Sequence, residues 1–581
     1  MTEPTPITLA VHHAKVQVHR ALRWWSDRAS PITAAQRGAA LCDAALIGED
    51  HCALHNTEAP PREWPLERGK LENLRVAARR LDGLELAAGQ VFSFWAQVGP
   101  PLRVRGFVEG RELREGCVVP GIGGGLCLLS NAIFAAARRA GLEIVERHPH
   151  SRRVPGSRAE QGDDATVAWN YVDLRVRARF AWRLEVELDP TQLHVRLRSR
   201  ASSSRVSLSP SLVRTRVAAS TLEQGPSCLS CDRPCVRARP PHEPAPGRRA
   251  WLLDAVWPEY ASYLGTHAHA DDRVATPLDG ELLGRERYAW PHVAVAERLH
   301  FPVEVVLRSL RSRALAEQGA ARQRALLDAS ERLAAAMAER LRPDDVELIV
   351  AQELLPFLAQ RGVLGGRRFT VLMQRWPLAE LHATLDRAAR AHGASPTLAD
   401  FRAPASLVAA EAWALEHAAA IVTPHAELAA HFGERATRLD WALPRACGRR
   451  ARVRHADGRP RVWLPASTVA RKGAYELRDA LARLERPLVL HVSGRELEGP
   501  GFWSSLPQVE LAAAPRTLAG IDVAVLPAWV EHAPRALLLA LAQGVPVVAS
   551  RACGLAGVQG VVEVASGEVE PLAAALAHAL A

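Results

Sequence analysis

The sequence predicts a multidomain protein with an N-terminal α+β domain, a cysteine-bearing linker and a C-terminal α/β pair of Rossmann-like lobes. Three observations predict it. At roughly 100–200 residues per domain, a chain of 581 residues makes three or four domains. Residues 1–200 mix helical and strand patterns and end in the alternating stretches Leu174–Leu188 and Leu193–Leu197. From residue 249 onward, apolar runs at 250–257, 347–351, 369–373, 419–423, 461–465, 487–492, 521–526 and 545–549 alternate with alanine-rich stretches. That is the rhythm of βαβ units. The expected boundaries are 1–200, 201–248 for the linker, 249–445 for the first lobe and 446–581 for the second.

Composition narrows the class. With 48% hydrophobic and 23% charged residues, the chain is not disordered. It has no apolar run of about 20 residues, so no transmembrane helix is expected. The opening MTEPTPITLAVHHAKVQVHRALRWWSD lacks an apolar signal-peptide core. A cytoplasmic protein is the expectation, and its nine cysteines then read as thiols or metal ligands rather than disulfides. The net charge of +10 is spread along the chain with no Lys/Arg block. Nucleic acid is therefore not the expected partner. A basic surface toward nucleotide phosphate, or peripheral contact with anionic lipid at the inner membrane face, fits the charge equally well. Lysine occurs only at Lys15, Lys70 and Lys472. Either the survivors mark places that need a compact ammonium or they are drift.

The densest N-terminal pattern lies between Lys70 and Asp173. KLENLRVAARRL has apolar positions at helical spacing, LAAGQ turns, and VFSFW reads as a strand. In GIGGGLCLLSNAIFAAARRAGL, Gly123, Gly124 and Gly125 form a loop into a helix that starts near Leu126, so Cys127 falls in the first helical turn. A helix N-terminus favours an anion and lowers the pKa of a thiol. The strand LEIVERHPHS follows, with His148 and His150, and then Asp163 and Asp164 lead toward another strand. Cysteine, histidine and aspartate in this order suit a thiol nucleophile, with Cys127, His148 or His150, and Asp164 as nucleophile, base and orienting carboxylate. The alternatives are a buried structural cysteine and a glycine loop that binds an anion through Gly123, Gly124 and Gly125.

These residues carry a resemblance. GKLENLRVAARRLDGLELAAGQVFSFWAQVG, GFVEGRE, GIGGGLCLLSNAIF, ERHPHS and NYVDL stand in the order of the VanW family, whose members accompany some vancomycin-resistance gene clusters. The resemblance covers about 70–200 and implies a link to the cell wall or glycopeptides. Leu128 stands where the family usually has glutamine, which removes one candidate oxyanion donor. Asn131 stands where threonine is frequent.

In the linker, Cys228, Cys231 and Cys235 are spaced C-x₂-C-x₃-C, with His242 beyond. Three soft ligands and a histidine suit tetrahedral zinc. An iron–sulfur cluster would need a fourth ligand from elsewhere. Free thiols are the alternative.

Neither lobe carries G-x-G-x-x-G after its first strand or G-x-x-x-x-G-K-[ST], which excludes a dinucleotide fold cofactor and a P-loop. GIDVAVLPAWVEHAPRALLLALAQGVPVVAS reads as strand, loop, helix, glycine turn and strand. Together with WLPASTVARKGAYELRDALARL it resembles the donor lobe of GT-B glycosyltransferases with an E-x₇-E motif. The resemblance implies that Glu531 lies by the donor sugar. Lys472, with Arg471 and Gly473 beside it, would meet the donor phosphates. Leu539 replaces the glutamate expected on the ribose and cannot accept its hydroxyl hydrogen bonds. The expectation is sugar transfer from a nucleotide sugar to a cell-envelope or peptidoglycan-related acceptor. The alternatives are a thiol hydrolase or acyl transferase at Cys127 and a non-catalytic binder of wall precursors or glycopeptides.

Overall fold

The computed structural model describes residues 5–29, 32–56, 59–114, 117–150, 152–153, 162–201, 220–221, 228–229, 231, 246–313, 315, 319–400, 402–445 and 455–581. Contacts divide the chain into two units. The first holds residues 1–248 with 341–347 and 361–368, and the second holds 249–340, 348–360 and 369–581.

The first unit contains helices α1 (Pro6–Ala29), α2 (Trp64–Leu81) and α3 (Cys127–Arg139). Its main sheet is antiparallel, in the order Gln36–Arg37, Leu84–Leu86, Trp182–Leu188, Gln192–Ser199, Ala45–Ala53. Every second residue of Trp182–Leu188 and Gln192–Ser199 is buried, so one face of the sheet is a core face. α2 and α3 pack on this sheet. Leu74 and Leu81 from α2 meet Leu129 and Ile133 from α3 and Leu184 and Val195 from the strands.

The chain departs from the expected strands where local chemistry bends it. The stretch 174–188 is not one strand. Arg175–Arg177 pairs with Val91–Ser93 and Glu143–Glu146 in a separate sheet, and the chain bends at Arg179 and Phe180 before Trp182–Leu188. VFSFW is a strand only to Ser93. The Ser93 hydroxyl accepts from Ala96 N at 3.1 Å and caps a short helix, Phe94–Val98. Residues after Glu146 leave the strand before His148 and His150, and Pro149 between them has no N–H to give a ladder.

The segment 361–368 belongs to the first unit through an arginine cluster. Arg75 donates to Gly365 O at 2.7 Å, and Gly366 N donates to Asp189 O at 2.7 Å. Arg367 is 2% exposed and donates to Asp345 O at 2.7 Å, Val363 O at 2.6 Å and Arg342 O at 3.1 Å. Burial, with Arg75 nearby, brings its guanidinium down to about 9.

The second unit holds two sheets. The first lobe orders its strands Glu297–His300, Arg273–Thr276, Arg248–Leu252, Asp345–Ala351, Arg368–Leu372, Ala420–Thr423, Ala436–Arg438. The second orders Val509–Ala513, Leu488–Val492, Arg461–Leu464, Val523–Leu526, Val547–Ser550, Val561–Val564, and each successive pairing is parallel. In both, the first strand of the lobe sits inside and the chain winds outward to either side, as in doubly wound α/β folds. The eight apolar runs fall on strands. Arg273–Thr276, Glu297–His300, Val509–Ala513 and Val561–Val564 are additional strands that no long apolar run announces.

Five helices of this unit matter below: α4 (Pro258–His267), α5 (Pro302–Arg313), α6 (Ala320–Arg340), α7 (Ala474–Leu484) and α8 (Arg535–Ala542). The helical stretch expected from about Ser309 to Leu341 is divided between α5 and α6, and Gly319 stands before α6 with φ +111°.

Candidate functional site

In the second lobe, Lys472 ends a 3₁₀ turn, Ala470–Lys472, and Gly473 links that turn to α7. Gly473 has φ +77°, and a Cβ there would lie 2.1 Å from Pro527 O. Only glycine allows this approach. The Arg471 carbonyl accepts from Trp529 N at 3.0 Å and Val530 N at 3.1 Å. Two loops at the carboxyl ends of neighbouring strands are thereby tied together.

That tie brings Lys472 to Glu531. Lys472 Nζ lies 2.7 Å from Glu531 Oε2 and donates to Val530 O at 3.1 Å. Their side chains are only 14% and 13% exposed. Glu531 Oε1 accepts from His532 N at 2.9 Å and Ala533 N at 3.0 Å, just ahead of α8. Burial opposes ionisation of Glu531, but Lys472 and these amides outweigh it and hold the carboxyl at about 2. His532 goes the other way. Burial, reinforced by the Lys472 charge, takes it down to about 3. Burial likewise lowers Arg471, against the pull of Glu531 and Asp400. Leu539 packs against the apolar core of this lobe.

The first lobe adds a polar cluster that the sequence reading missed. Asp254, two residues past its first strand, Arg248–Leu252, takes the Arg308 guanidinium at 2.9 Å. Glu353 follows the neighbouring strand. Burial and the Asp254 charge push its carboxyl up to about 7, against Arg375 and Arg308. Arg375 lies 2.8 Å from Glu411 and also acts on His532, so the cluster reaches the second lobe electrostatically. The available signal was position, since carboxylates at the carboxyl ends of parallel strands stand where α/β folds build sites.

The two lobes meet through further pairs. Arg535 donates to Glu259 Oε1 at 2.7 Å, and His392 Nε2 lies 2.7 Å from Glu476. His425 Nε2 donates to Ala552 O at 3.1 Å, and burial takes this imidazole down to about 4.

The first unit assembles a second constellation. Cys127 opens α3, and its sulfur lies 3.7 Å from Val167 O. Ser130 donates to Ala165 O at 2.6 Å, and Asn131 Oδ1 accepts from Ala165 N at 2.7 Å. These bonds lay residues 165–167 along the start of α3. Asp164, with its carboxylate 3% exposed, contacts His150 Nδ1 and accepts from His150 N at 2.7 Å. Burial alone would lower His150, but hydrogen bonds to Asp164 and Cys127 raise it to about 10. Asp164 is correspondingly lowered.

His150, not His148, is thus the histidine brought to Cys127. His148 lies 3.0 Å from Glu146, and its side chain is 47% exposed. Asp163 is held by Arg138 at 2.5 Å and Arg139 at 3.7 Å. The glycine loop packs on its own protein. A Cβ on Gly124 would lie 2.4 Å from Gly110 C and O, and one on Gly125 would lie 2.2 Å from Lys70 Cγ. Pro101 lies as close as 2.7 Å to such an atom on Gly123. The Gly124 carbonyl accepts from Asn73 at 2.9 Å. Close packing therefore requires glycine at these positions.

Of the proposed metal ligands, Cys235 and His242 lie outside the described residues. Cys228 is buried and Cys231 half-buried. Among the described residues no group of three or more His, Cys, Asp or Glu is placed to hold a metal ion. No helix among them is long and apolar enough to cross a membrane.

Comparison with known proteins matches two separate stretches of the chain. Residues 69–198 match the family described as VanW like protein, and residues 460–581 match Glycosyl transferases group 1. The uncharacterized protein YoaR of Bacillus subtilis is 34% identical over 113 residues, 19% of this chain and 37% of that protein. The vancomycin B-type resistance protein VanW of Enterococcus faecalis is 32% identical over 135 residues, 23% of this chain and 49% of that protein. The chain thus spans less than half the length of either relative. Among solved structures, the lipopolysaccharide outer core galactosyltransferase WaaB is 13% identical, with TM-score 0.32, covering 57% of this chain and 90% of that one. Sucrose-phosphate synthase from Thermosynechococcus elongatus is 15% identical, with TM-score 0.35, over 57% and 90%.

Proposed function

We propose, from a chain that sets a VanW-like domain ahead of a group 1 glycosyltransferase segment, that the protein transfers a sugar from a nucleotide sugar to a cell-envelope acceptor. The pairing of these two segments supports glycosyl transfer. The observation that carries the finer reading is the buried Lys472–Glu531 pair, which lies inside the matched segment at the carboxyl ends of parallel strands.

The chemistry follows from the geometry. A departing nucleoside diphosphate needs positive charge and backbone amides that are already in place. Lys472, with α7 starting two residues on, offers both. Glu531 orients the ammonium and turns its remaining acceptor capacity to sugar hydroxyls. In the first lobe Glu353, held at about 7, is the carboxyl suited to exchange a proton with an acceptor hydroxyl near neutral pH.

Two features support an acceptor at the cell envelope. One relative that the chain resembles is a vancomycin B-type resistance protein. In addition, α1 leaves Ile7, Val11, Val18, Leu22 and Trp25 exposed along one side and has no acid before Asp27; of its bases there, Lys15 and Arg20 add to Arg23, which pairs with Glu146. A basic helix with an apolar stripe suits an anionic lipid surface.

Calorimetry with UDP, GDP, ADP and their sugars tests the donor site. The expected result is binding by the wild type that weakens about tenfold or more in Lys472→Ala, roughly 1.4 kcal/mol. No binding to any nucleotide by the wild type would overturn the transferase reading and leave a non-catalytic binder. Binding that is unchanged by Lys472→Ala would remove that lysine from the site.

A further inference from the structure

We propose that Cys127, His150 and Asp164 form a second active site, a thiol acyl-transfer centre that takes the acyl group of an amide or ester. It stands apart from sugar transfer and does not depend on it.

Four observations meet there. The sulfur sits on the first residue of α3, where the helix dipole favours an anion. The imidazole that interacts electrostatically with the sulfur is from a residue held by a buried carboxylate through both its ring Nδ1 and its backbone N–H. This is nucleophile, base and orienting acid in contact. The scaffold beneath them is rigid. Ser130 and Asn131 clamp Ala165, Arg147 donates to Asp164 O at 2.6 Å, and Thr166 N donates to His148 O at 2.7 Å. Finally, the reacting groups can be reached, since the His150 side chain is 27% exposed and Cys127 is half-buried. A cysteine packed only for structure needs neither the histidine nor its carboxylate.

Among the described residues, the titratable groups facing His150 are Cys127 and Asp164, with Arg147 beyond acting on Asp164. With His150 raised to about 10, the proton resides on the imidazole at neutral pH, beside a sulfur at a helix start, an arrangement that favours a thiolate as the attacking species. The thiolate attacks the substrate carbonyl carbon, and the Cys127 backbone N–H at the start of α3 is offered to the oxyanion, since the Leu128, Leu129 and Ser130 amides already donate to Gly125 O and Leu126 O. His150 gives its proton to the leaving nitrogen or oxygen as that bond breaks, and a thioester to Cys127 forms. Water, or an amine acceptor, then attacks the thioester. His150 takes its proton, the acid or new amide departs, and the thiolate–imidazolium pair is restored. Leu128 replaces the side-chain donor that a glutamine would have supplied, so the oxyanion depends on backbone groups alone.

The test uses the full chain. Iodoacetamide labelling is followed by peptide mass spectrometry from about pH 5.5 to 8, with the exposed Cys42 as internal reference. Cys127 is expected to react about tenfold or more faster than Cys42 at the acid end and to stay nearly flat with pH. His150→Asn and the milder Asp164→Asn should both restore a steep, Cys42-like pH dependence. The Asp164 variant keeps the side-chain volume in case loss of the imidazole perturbs folding. p-Nitrophenyl acetate should leave an acetyl thioester on Cys127 that is absent in His150→Asn. A Cys127 rate that tracks Cys42 across the range would overturn the proposal. So would a reactive thiol that never forms the thioester.

Discussion

His148 and His150 are separated by a single proline, yet they have different fates. His148 turns outward to Glu146, while His150 turns inward to Asp164 and Cys127. Residue type and order were legible in the sequence, but which of two neighbouring imidazoles meets the thiol was not. That choice depends on residues 165–167 being drawn against α3. Asp163 and Asp164 part in the same way, one toward Arg138 and the other toward the histidine. Arg367 shows how much one residue can carry without any sequence signal. It satisfies three carbonyls inside the first unit. Arg367→Ala would leave those acceptors without their charged donor and is expected to cost about 3 kcal/mol in the unfolding of the first unit. Chemical denaturation would measure this, and a loss below about 1 kcal/mol would mean that water replaces the guanidinium.

At the scale of elements, the parallel strands of the two lobes were readable because buried strands are apolar throughout. Their edge companions were not, since Val509–Ala513 and Val561–Val564 are largely half-buried or exposed and lack that run. The turn before α7 follows from Gly473, whose left-handed backbone sets Lys472 against the next loop. Gly473→Ala must push against Pro527 O, so it is expected to reduce nucleotide affinity as far as Lys472→Ala does while every charge stays in place. Equal affinity to wild type would show that the turn does not position the lysine. α1 makes a separate prediction. Leu22→Glu with Trp25→Glu should abolish sedimentation with vesicles rich in anionic lipid, and neutral vesicles should bind neither form. Unchanged sedimentation would exclude this stripe as the membrane face.

For the whole molecule, stability should respond to pH in opposite directions at different places. Glu531 and Glu146 are held at about 2, so what they add is present above the unfolded carboxylate value and lost as pH falls toward 2. His425 and His532 are lowered to about 4 and about 3. Their stabilisation is present above an unfolded value of about 6.5 and is lost as pH falls below it. His150 is raised, so its contribution is complete below about 6.5 and is lost as pH rises toward 10. Glu353, also raised, loses its contribution as pH rises through about 7. In the second unit His425 and His532 together outweigh the opposite change at Glu353, so the unit should begin to weaken below pH 6.5, above the carboxylate range. His425, 1% exposed, accounts for about 2 kcal/mol of the loss by pH 5. Thermal unfolding from pH 8 to 5 would show it, and His425→Gln should flatten that limb. A second unit that gains stability on acidification would contradict the buried, neutral histidines.

The sequence by itself determined what short-range pattern can encode. It specified the mixed α/β beginning, the βαβ rhythm of the later half, the helix start at Cys127 and the glycine–lysine turn at Lys472. Each of these is written in neighbouring residues through periodicity, capping or a required backbone angle. Only the tertiary structure decided which distant groups meet. It paired Lys472 with Glu531, selected His150 and Asp164, gathered Glu353 with Asp254, and drew 361–368 into the first unit. Those meetings depend on how bends, crossovers and packed glycines fold separate stretches onto one another. Burial then sets the charge state of what is enclosed, and no linear spacing records that.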